Sequence, residues 1–337
     1  MKKLYLVTGA TGHLGNQLTK ELLKRNEKVR VFILPEDERF VPDNVEYVKG
    51  SITNKEDLEE FFQVDGYDTV TLIHAAARIT IATKEDPLVW DVNVNGTKNV
   101  MELAYQNHID RVIYVSSVHA IPEKPKPEVM TEVDSFSKDL VHGQYAKSKA
   151  EAAQIVVDYA KKGLNVSIVH PSGIIGPGDI FNRNSSVQVI RAIYKGRITI
   201  PTEGGYDFVD VRDVVDGILN CEEKGKSGEC YLLSGNYIEI KEIYKIVSKY
   251  RNKKHTNFTL PLFMVKPMIP ISEWINHIFK NDKPIFTQYS IYTLDTNAHF
   301  SNEKAKRELG FTTRNSEESI RDSIEIEYVK HSNKISK

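Results

Sequence analysis

The sequence predicts an α/β protein: a doubly wound parallel sheet with helices on both faces, and a smaller C-terminal α/β cap. Three observations predict it. Apolar runs of strand length alternate with longer stretches of helical periodicity through the first half of the chain. The connections between them are mostly short, as right-handed β-α-β units require. The first apolar run also passes straight into a glycine-spaced turn and then a helix, an arrangement that presents a helix N-terminus to an anion.

Leu4-Tyr5-Leu6-Val7 reads as a buried strand, and Asn16–Arg25 as a helix with Leu14, Leu18, Leu22 and Leu23 on one face. Between them stands Thr8-Gly9-Ala10-Thr11-Gly12-His13-Leu14-Gly15, with its glycines three apart. Glycine permits a tight turn and close backbone approach, and the free N–H groups and helix dipole attract a phosphate. The plainer alternative is a turn with a close helix–strand contact.

Val29–Leu34 and Val45–Val48 read as the next strands, the first stopped by Pro35. Lys55–Phe62 reads as a helix capped by Thr53 or Asn54. Strands follow at Thr69–Ile73, Arg111–Val115 and Val166–Val169, with helices at Asp91–Asn107 and Gln144–Lys162. Ligands of such sheets sit beyond the carboxyl ends of the strands. The glycine turn, His74–Ala77, Ser116-Ser117 and His170–Ser172 all fall at that edge. Residues 1–172 are therefore expected to form the core, with a segment near 205–235 returning to it, and residues 173–337 mainly the cap.

After Pro171, glycines and prolines mark loops between helical stretches at Ser186–Tyr194, Val211–Glu222, Lys241–Tyr250 and Ser316–Tyr328. Phe258–Phe279 is apolar, but Pro261, Pro267 and Pro270 interrupt it, so it is not one spanning helix. It reads as a packed cap helix, with substrate gating as the alternative. The tail from His331 to Lys337 reads as frayed.

A net charge of −1 gives no reason to expect nucleic acid as a partner. Cys221 and Cys230 are too few for a disulfide framework or a four-thiolate metal site, so no metal is expected. Neither a secretory leader nor a bilayer-spanning run is seen, and a cytoplasmic location is expected.

Tyr145 and Lys149 lie four apart at the start of a predicted helix, on one face. A phenol titrates near ~10 in water. A neighbouring ammonium favours the phenolate, which would suit the pair to proton transfer near neutrality. Ser117 stands at a strand end, where serine commonly caps a turn. Each feature alone is unremarkable, but both lie downstream of the glycine turn at one sheet edge.

Taken together, the chain resembles the extended branch of the short-chain dehydrogenase/reductase superfamily over nearly its whole length. Thr8–Gly15 is similar to the TGxxGxxG turn, and His74-Ala75-Ala76-Ala77 to the strand-end motif along the cofactor. Asn93-Val94-Asn95-Gly96-Thr97 is similar to NVxGT. Ser117 and Tyr145–Lys149 are similar to the active-site serine and YxxxK. His170–Pro177 is similar to R-P-x-x-x-x-G-P, with His for Arg. Phe208–Val214 and Ser301–Phe311 look like the C-terminal motifs.

The resemblance implies a Rossmann-type dinucleotide-binding core. It implies Tyr145 as general acid or base and Lys149 as the group that lowers its pKa and holds the nicotinamide ribose. Ser117 would hold the substrate oxygen. Gly12, His13 and Leu14 would offer backbone contacts to the pyrophosphate, with Gly9, Thr11 and Gly15 also cofactor-binding, and Ile52 would lie near adenine, next to Ser51 where the family usually has Asp. Ala75, Ala76, Ala77, Asn93, Pro171 and Ile174 would complete the cofactor contacts. Helices Asp91–Asn107 and Gln144–Lys162 would suit a homodimer contact.

The end of the second strand separates NAD from NADP. Here Leu34-Pro35-Glu36-Asp37-Glu38-Arg39 has three acids and no arginine at the strand end, which leans toward NAD; Arg39 keeps NADP open. Three departures narrow the chemistry. Tyr206 stands where nucleotide-sugar enzymes usually carry Arg. Val118-His119 replaces the Asp-Glu of dehydratases, and Ala120-Ile121-Pro122 replaces an epimerase V-Y-G. All three point to the branch resembling dihydroflavonol reductases and hydroxysteroid dehydrogenases. The expected activity is NAD(P)-dependent interconversion of a carbonyl and an alcohol on a small, hydrophobic substrate. A nucleotide-sugar epimerase or dehydratase and a non-catalytic dinucleotide sensor are the alternatives. His119 and His142 read as exposed loop histidines rather than pocket groups.

Overall fold

The computed structural model describes residues 2–42, 44–179, 181–252, 256, 258–268 and 287–325. Seven parallel strands form the main sheet: β1 (Lys3–Thr8), β2 (Lys28–Ile33), β3 (Glu46–Lys49), β4 (Thr69–His74), β5 (Arg111–Val115), β6 (Val166–Pro171) and β9 (Cys230–Leu233). Their spatial order is β3-β2-β1-β4-β5-β6-β9. The order reverses between β1 and β4, and a crevice opens there at the carboxyl edge.

Both faces of this sheet are covered, which is why its strands read as continuous apolar runs instead of alternating ones. Leu4 and Leu6 point to one face, with Leu72, Val112, Tyr114 and Ile168. They meet helices α2 (Lys55–Glu59), α4 (Thr97–Gln106) and α5 (Gln144–Lys161). Tyr5 and Val7 point the other way, with Val31, Ile73, Ile113 and Val169. They pack on α1 (His13–Lys24), α7 (Val211–Lys224) and Ala305, Leu309 and Phe311 near the C-terminus. The predicted Asn54 cap is present: its side chain accepts from Glu56 N at 3.2 Å.

A second sheet has the order β10-β8-β7, made of β7 (Gly173–Ile175), β8 (Gly205–Asp210) and β10 (Asn236–Glu239). Its own apolar cluster joins α6 (Ser185–Tyr194) and α8 (Ile240–Tyr250) to Ile320 and Ile324. Thus β8 belongs to the small sheet, while α7 and β9, which follow it, return to the large one.

Several bounds differ from the sequence reading: the helix expected over Lys55–Phe62 ends at Glu59, and the one expected from Asn16 begins at His13. The helix expected over Asp91–Asn107 begins earlier, as α3 (Pro87–Trp90), and passes through a wide π turn over Asp91–Gly96 before α4. Of the apolar Phe258–Phe279 segment, Leu262–Val265 is a short helix followed by a tight turn over Lys266–Met268. Its remainder, residues 269–279, lies outside the described residues, as do the end of the helix expected to reach Tyr328 and the tail from His331.

Candidate active site

The glycine turn is held by its own backbone. Gly9 has φ +74°, and a Cβ there would lie 2.6 Å from Ala76 N. A Cβ on Gly15 would lie 2.1 Å from Gly9 O. These glycines let β1, the end of β4 and the start of α1 press together. Gly12 differs, since a Cβ there would meet only Gly9 O, at 3.3 Å. It caps α1 without a side-chain hydrogen bond, and the first helical turn carries no acid. With no acid in the first turn of α1, its N-terminal amides are left to an outside anion, and a pyrophosphate fits this cradle.

Buried polar links fix the rest of the crevice. Thr8 Oγ1 lies 2.7 Å from His74 Nδ1 and accepts from Ala76 N at 3.2 Å; His74 Nε2 lies 3.1 Å from Thr97 Oγ1. Burial, reinforced by the Lys149 charge, holds the His74 pKa down to about 3, so the ring is a neutral strut. Asn93, in the π turn, accepts from Arg78 N at 2.7 Å and donates to Ser148 Oγ at 2.9 Å. It ties the Ala75–Arg78 segment to α5. Ile52 is buried against Gly96, where a Cβ would lie 2.7 Å from its side chain. Pro171 ends β6, and Ile174, in β7, pairs with Val209.

Ser117, Tyr145 and Lys149 are 8, 8 and 1% exposed. Ser117 follows β5, and its Oγ accepts from His119 N at 3.3 Å, capping a short turn. The Ser117 hydroxyl lies close to the Tyr145 phenol. Burial drives the Tyr145 pKa up to about 12, and the neighbouring Ser117 hydroxyl draws it partly back. The phenol therefore keeps its proton through the neutral range.

Here the sequence expectation needs correction. Lys149 Nζ donates to Val115 O at 2.8 Å and lies 4.5 Å from the Tyr114 ring centroid. The group that lowers the Tyr145 pKa in this structure is Ser117, not Lys149. The i, i+4 spacing put both side chains on one face but did not fix where a long lysine chain ends. Burial itself pulls the Lys149 pKa down to about 7.

That depression makes a stability prediction. Between about 7 and the unfolded value near ~10.4 the unfolded chain binds more protons at this site than the folded chain. The lysine's cost is therefore full below pH 7 and fades as the pH rises to about 10. Lys149→Met is expected to melt several degrees above the parent at pH 6.5, with the gap closing at pH 9.5. Thermal melts at both values check this; a gap independent of pH contradicts it.

His119 also departs from expectation. It is half-buried, not an exposed loop residue. Its Nε2 lies 3.1 Å from Tyr206 Oη and its Nδ1 3.2 Å from Tyr289 Oη. Its ring stacks on Tyr206 at 16° and meets Tyr145 edge-on, with centroids 5.9 Å apart. Burial lowers its pKa to about 4, so the ring is neutral at working pH. His142 is exposed, as expected, against the Tyr292 ring.

His170, in the place of the resembling family's Arg, was given no role by the sequence. Its Nδ1 lies 2.9 Å from Ser117 O, and its ring stacks on Phe136. It buttresses the segment that presents the Ser117 hydroxyl. The motif departure at His170 was the one available signal. Among the described residues there is no cluster of metal-ligating side chains, and no helix is long and apolar enough to cross a membrane.

A nucleotide cradle at a strand-order reversal, beside a buried Ser–Tyr–Lys set, defines a dinucleotide-dependent enzyme of the Rossmann class. The sequence model of the NAD dependent epimerase/dehydratase family matches residues 5–234, and the chain belongs to that family. It is an NAD(P)-dependent oxidoreductase of the extended short-chain dehydrogenase/reductase type, and NAD is the family's cofactor. Sterol demethylase protein B of Methylococcus capsulatus is 30% identical, covering 95% of this chain and 96% of that protein. A farnesyl-dihydroquinoline-oxide ketoreductase of Stigmatella aurantiaca is 26% identical over 91% of each. Among solved structures, gox2253 superposes with a TM-score of 0.80 at 29% identity, over 96% of this chain and 97% of that one. The UDP-glucose 4-epimerase of Thermotoga maritima shares the fold at 19% identity, with a TM-score of 0.75 over 98% of this chain and 99% of that one.

Proposed function

We propose that the chain reduces a ketone or aldehyde on an apolar, ring-bearing substrate to the alcohol, or runs the reverse reaction, with Tyr145 as proton donor and acceptor. The observation that carries this reading is the wall around Tyr145. His119 meets Tyr145 edge-on, Tyr206 and Tyr289 pack in turn on His119, and Phe300 packs edge-on to Tyr206. An aromatic wall favours flat apolar rings. Tyr206 offers no guanidinium to a sugar diphosphate, which weighs against a nucleotide-sugar substrate. The names of the sterol demethylase and ketoreductase relatives agree with a fused-ring or prenylated compound.

In this reading Ser117 and Tyr145 together hold the substrate oxygen. Tyr145 Oη gives its proton to that oxygen as it gains negative charge. Lys149, anchored on Val115 O, would hold the nicotinamide ribose. The glycine turn holds the pyrophosphate. NAD, when bound, supplies or accepts the hydride. Preorganised donors aimed at the developing alkoxide provide the electrostatic part of catalysis.

The test is a panel assay. Purified protein is mixed with NADH and, separately, with steroid ketones, aromatic ketones, aliphatic aldehydes and UDP-sugars. Oxidation of NADH with the ring ketones is expected. Conversion of a UDP-sugar without net NADH oxidation overturns the proposal in favour of an epimerase.

A further inference from the structure

The chain leaving β7 lies across the glycine turn. His13 Nε2 lies 2.8 Å from Pro177 O, and Asn184 Nδ2 lies 2.9 Å from His13 Nδ1. Gly178 is so close to Gln17 that a Cβ would lie 1.6 Å from its amide nitrogen. Asp179 sets the following turn by accepting from Arg183 N at 2.8 Å. The Arg183 guanidinium then reaches Asp37, just beyond β2. It donates to both carboxylate oxygens, Nη2 to Oδ1 at 2.5 Å and Nη1 to Oδ2 at 2.8 Å. Thr11, inside the glycine turn, donates to Oδ2 at 2.5 Å.

Asp37 is the acid that matters among the three after β2. It is 2% exposed, whereas Glu38 turns outward to Tyr47 and Lys49. Arg39, the sequence candidate for a 2′-phosphate, lies over the Phe40 ring, where its charge reaches Asp37 but does not hydrogen-bond it among the described residues. Asp37 stands about twenty residues past the turn, where doubly wound folds place the acid that binds the adenosine ribose. A carboxylate has roughly four lone-pair sites. Thr11 and Arg183 fill three, leaving one for a ribose hydroxyl. A 2′-phosphate would set its negative charge against that carboxylate and would need Arg183 for itself.

We propose that Arg183, supplied from the far side of the crevice, selects NAD over NADP: committed to Asp37, it fastens the 177–184 side onto the ribose-binding carboxylate and is withheld from a 2′-phosphate. The proposal rests on the dinucleotide site and not on the carbonyl chemistry.

Direct titration of protein fluorescence with NADH and NADPH tests it. Asp37→Asn frees the guanidinium, and NADPH is expected to tighten by about tenfold relative to NADH. Adding Arg183→Ala should erase that gain. An unchanged affinity ratio in Asp37→Asn, or a gain that survives Arg183→Ala, overturns the proposal. If Asp37→Asn does not fold, Arg183→Glu decides: NADPH must weaken at least about tenfold more than NADH. Equal weakening of both, or none, refutes it. Because no substrate is present, these outcomes stand apart from any failure of the panel assay.

Discussion

Tyr145→Phe is expected to lower kcat for carbonyl reduction by about 10³-fold, within the range for loss of a positioned general acid. NADH affinity should change by less than about twofold, because the glycine turn and Lys149 are untouched. The ring of Tyr145 is buried and meets His119 edge-on, so phenylalanine keeps the packing and removes only the hydroxyl. That hydroxyl carries its proton at neutral pH and lies close to Ser117. The rings described around it are poor replacements. His119 is neutral, and the Tyr206 and Tyr289 phenols, raised further by burial, lie against the histidine. Steady-state rates and a fluorescence titration of NADH check both halves. A loss in kcat below about tenfold would transfer the acid's role to another group.

Gly15→Ala is expected to raise the Kd for NADH at least about 100-fold and to destabilise the fold by a few kcal/mol. Its Cβ would lie within 2.8 Å of Gly9 O, Gly9 C and Ala10 Cα, all backbone atoms with no rotamer to yield. Relief requires α1 to back away from β1, which spoils the amide cradle. Two other glycines separate the effects. Gly66 has φ +87° and open space around it, so Gly66→Ala should cost about 1 kcal/mol of backbone strain and leave NADH binding intact. At Gly12 a Cβ would meet only Gly9 O, at 3.3 Å, on the side where the proposed pyrophosphate would sit. Gly12→Ala should therefore fold normally and lose NADH. Thermal melts and NADH titrations of the three variants check the order; normal binding in Gly12→Ala would move the phosphate elsewhere.

Much of this architecture was legible in sequence because its signals are local. Leu4–Val7, Arg111–Val115 and Val166–Val169 are apolar on both faces, and a two-faced sheet demands that. The glycine spacing at positions 9, 12 and 15 carried its own steric logic. The π turn was hidden, since the extra residue at Asp91–Gly96 barely disturbs the helical pattern of apolar positions. Arg183 was illegible for another reason: its partner lies 146 residues away, and nothing local marks a surface arginine as one arm of an ion pair. His119 looked like a loop histidine because the tyrosines that enclose it come from distant segments, 87 and 170 residues on. The titration of Tyr145 was misjudged because spacing on a helix reports proximity and not desolvation.

The place of β9 has a consequence for the order in which the molecule can be assembled during synthesis. This strand closes the large sheet against β6, pairing Ile168 with Cys230 through Pro171 with Leu233, yet it is made after β7, α6 and β8. As the nascent chain lengthens, β6 stays an open edge with its backbone donors and acceptors unanswered while the small sheet's first strands emerge. The ribosome must deliver Leu233 before the nucleotide-binding sheet has its last strand. A product cut off after Pro171 would therefore carry the glycine turn, Ser117, Tyr145 and Lys149, and still present a sticky rim prone to pair with other chains.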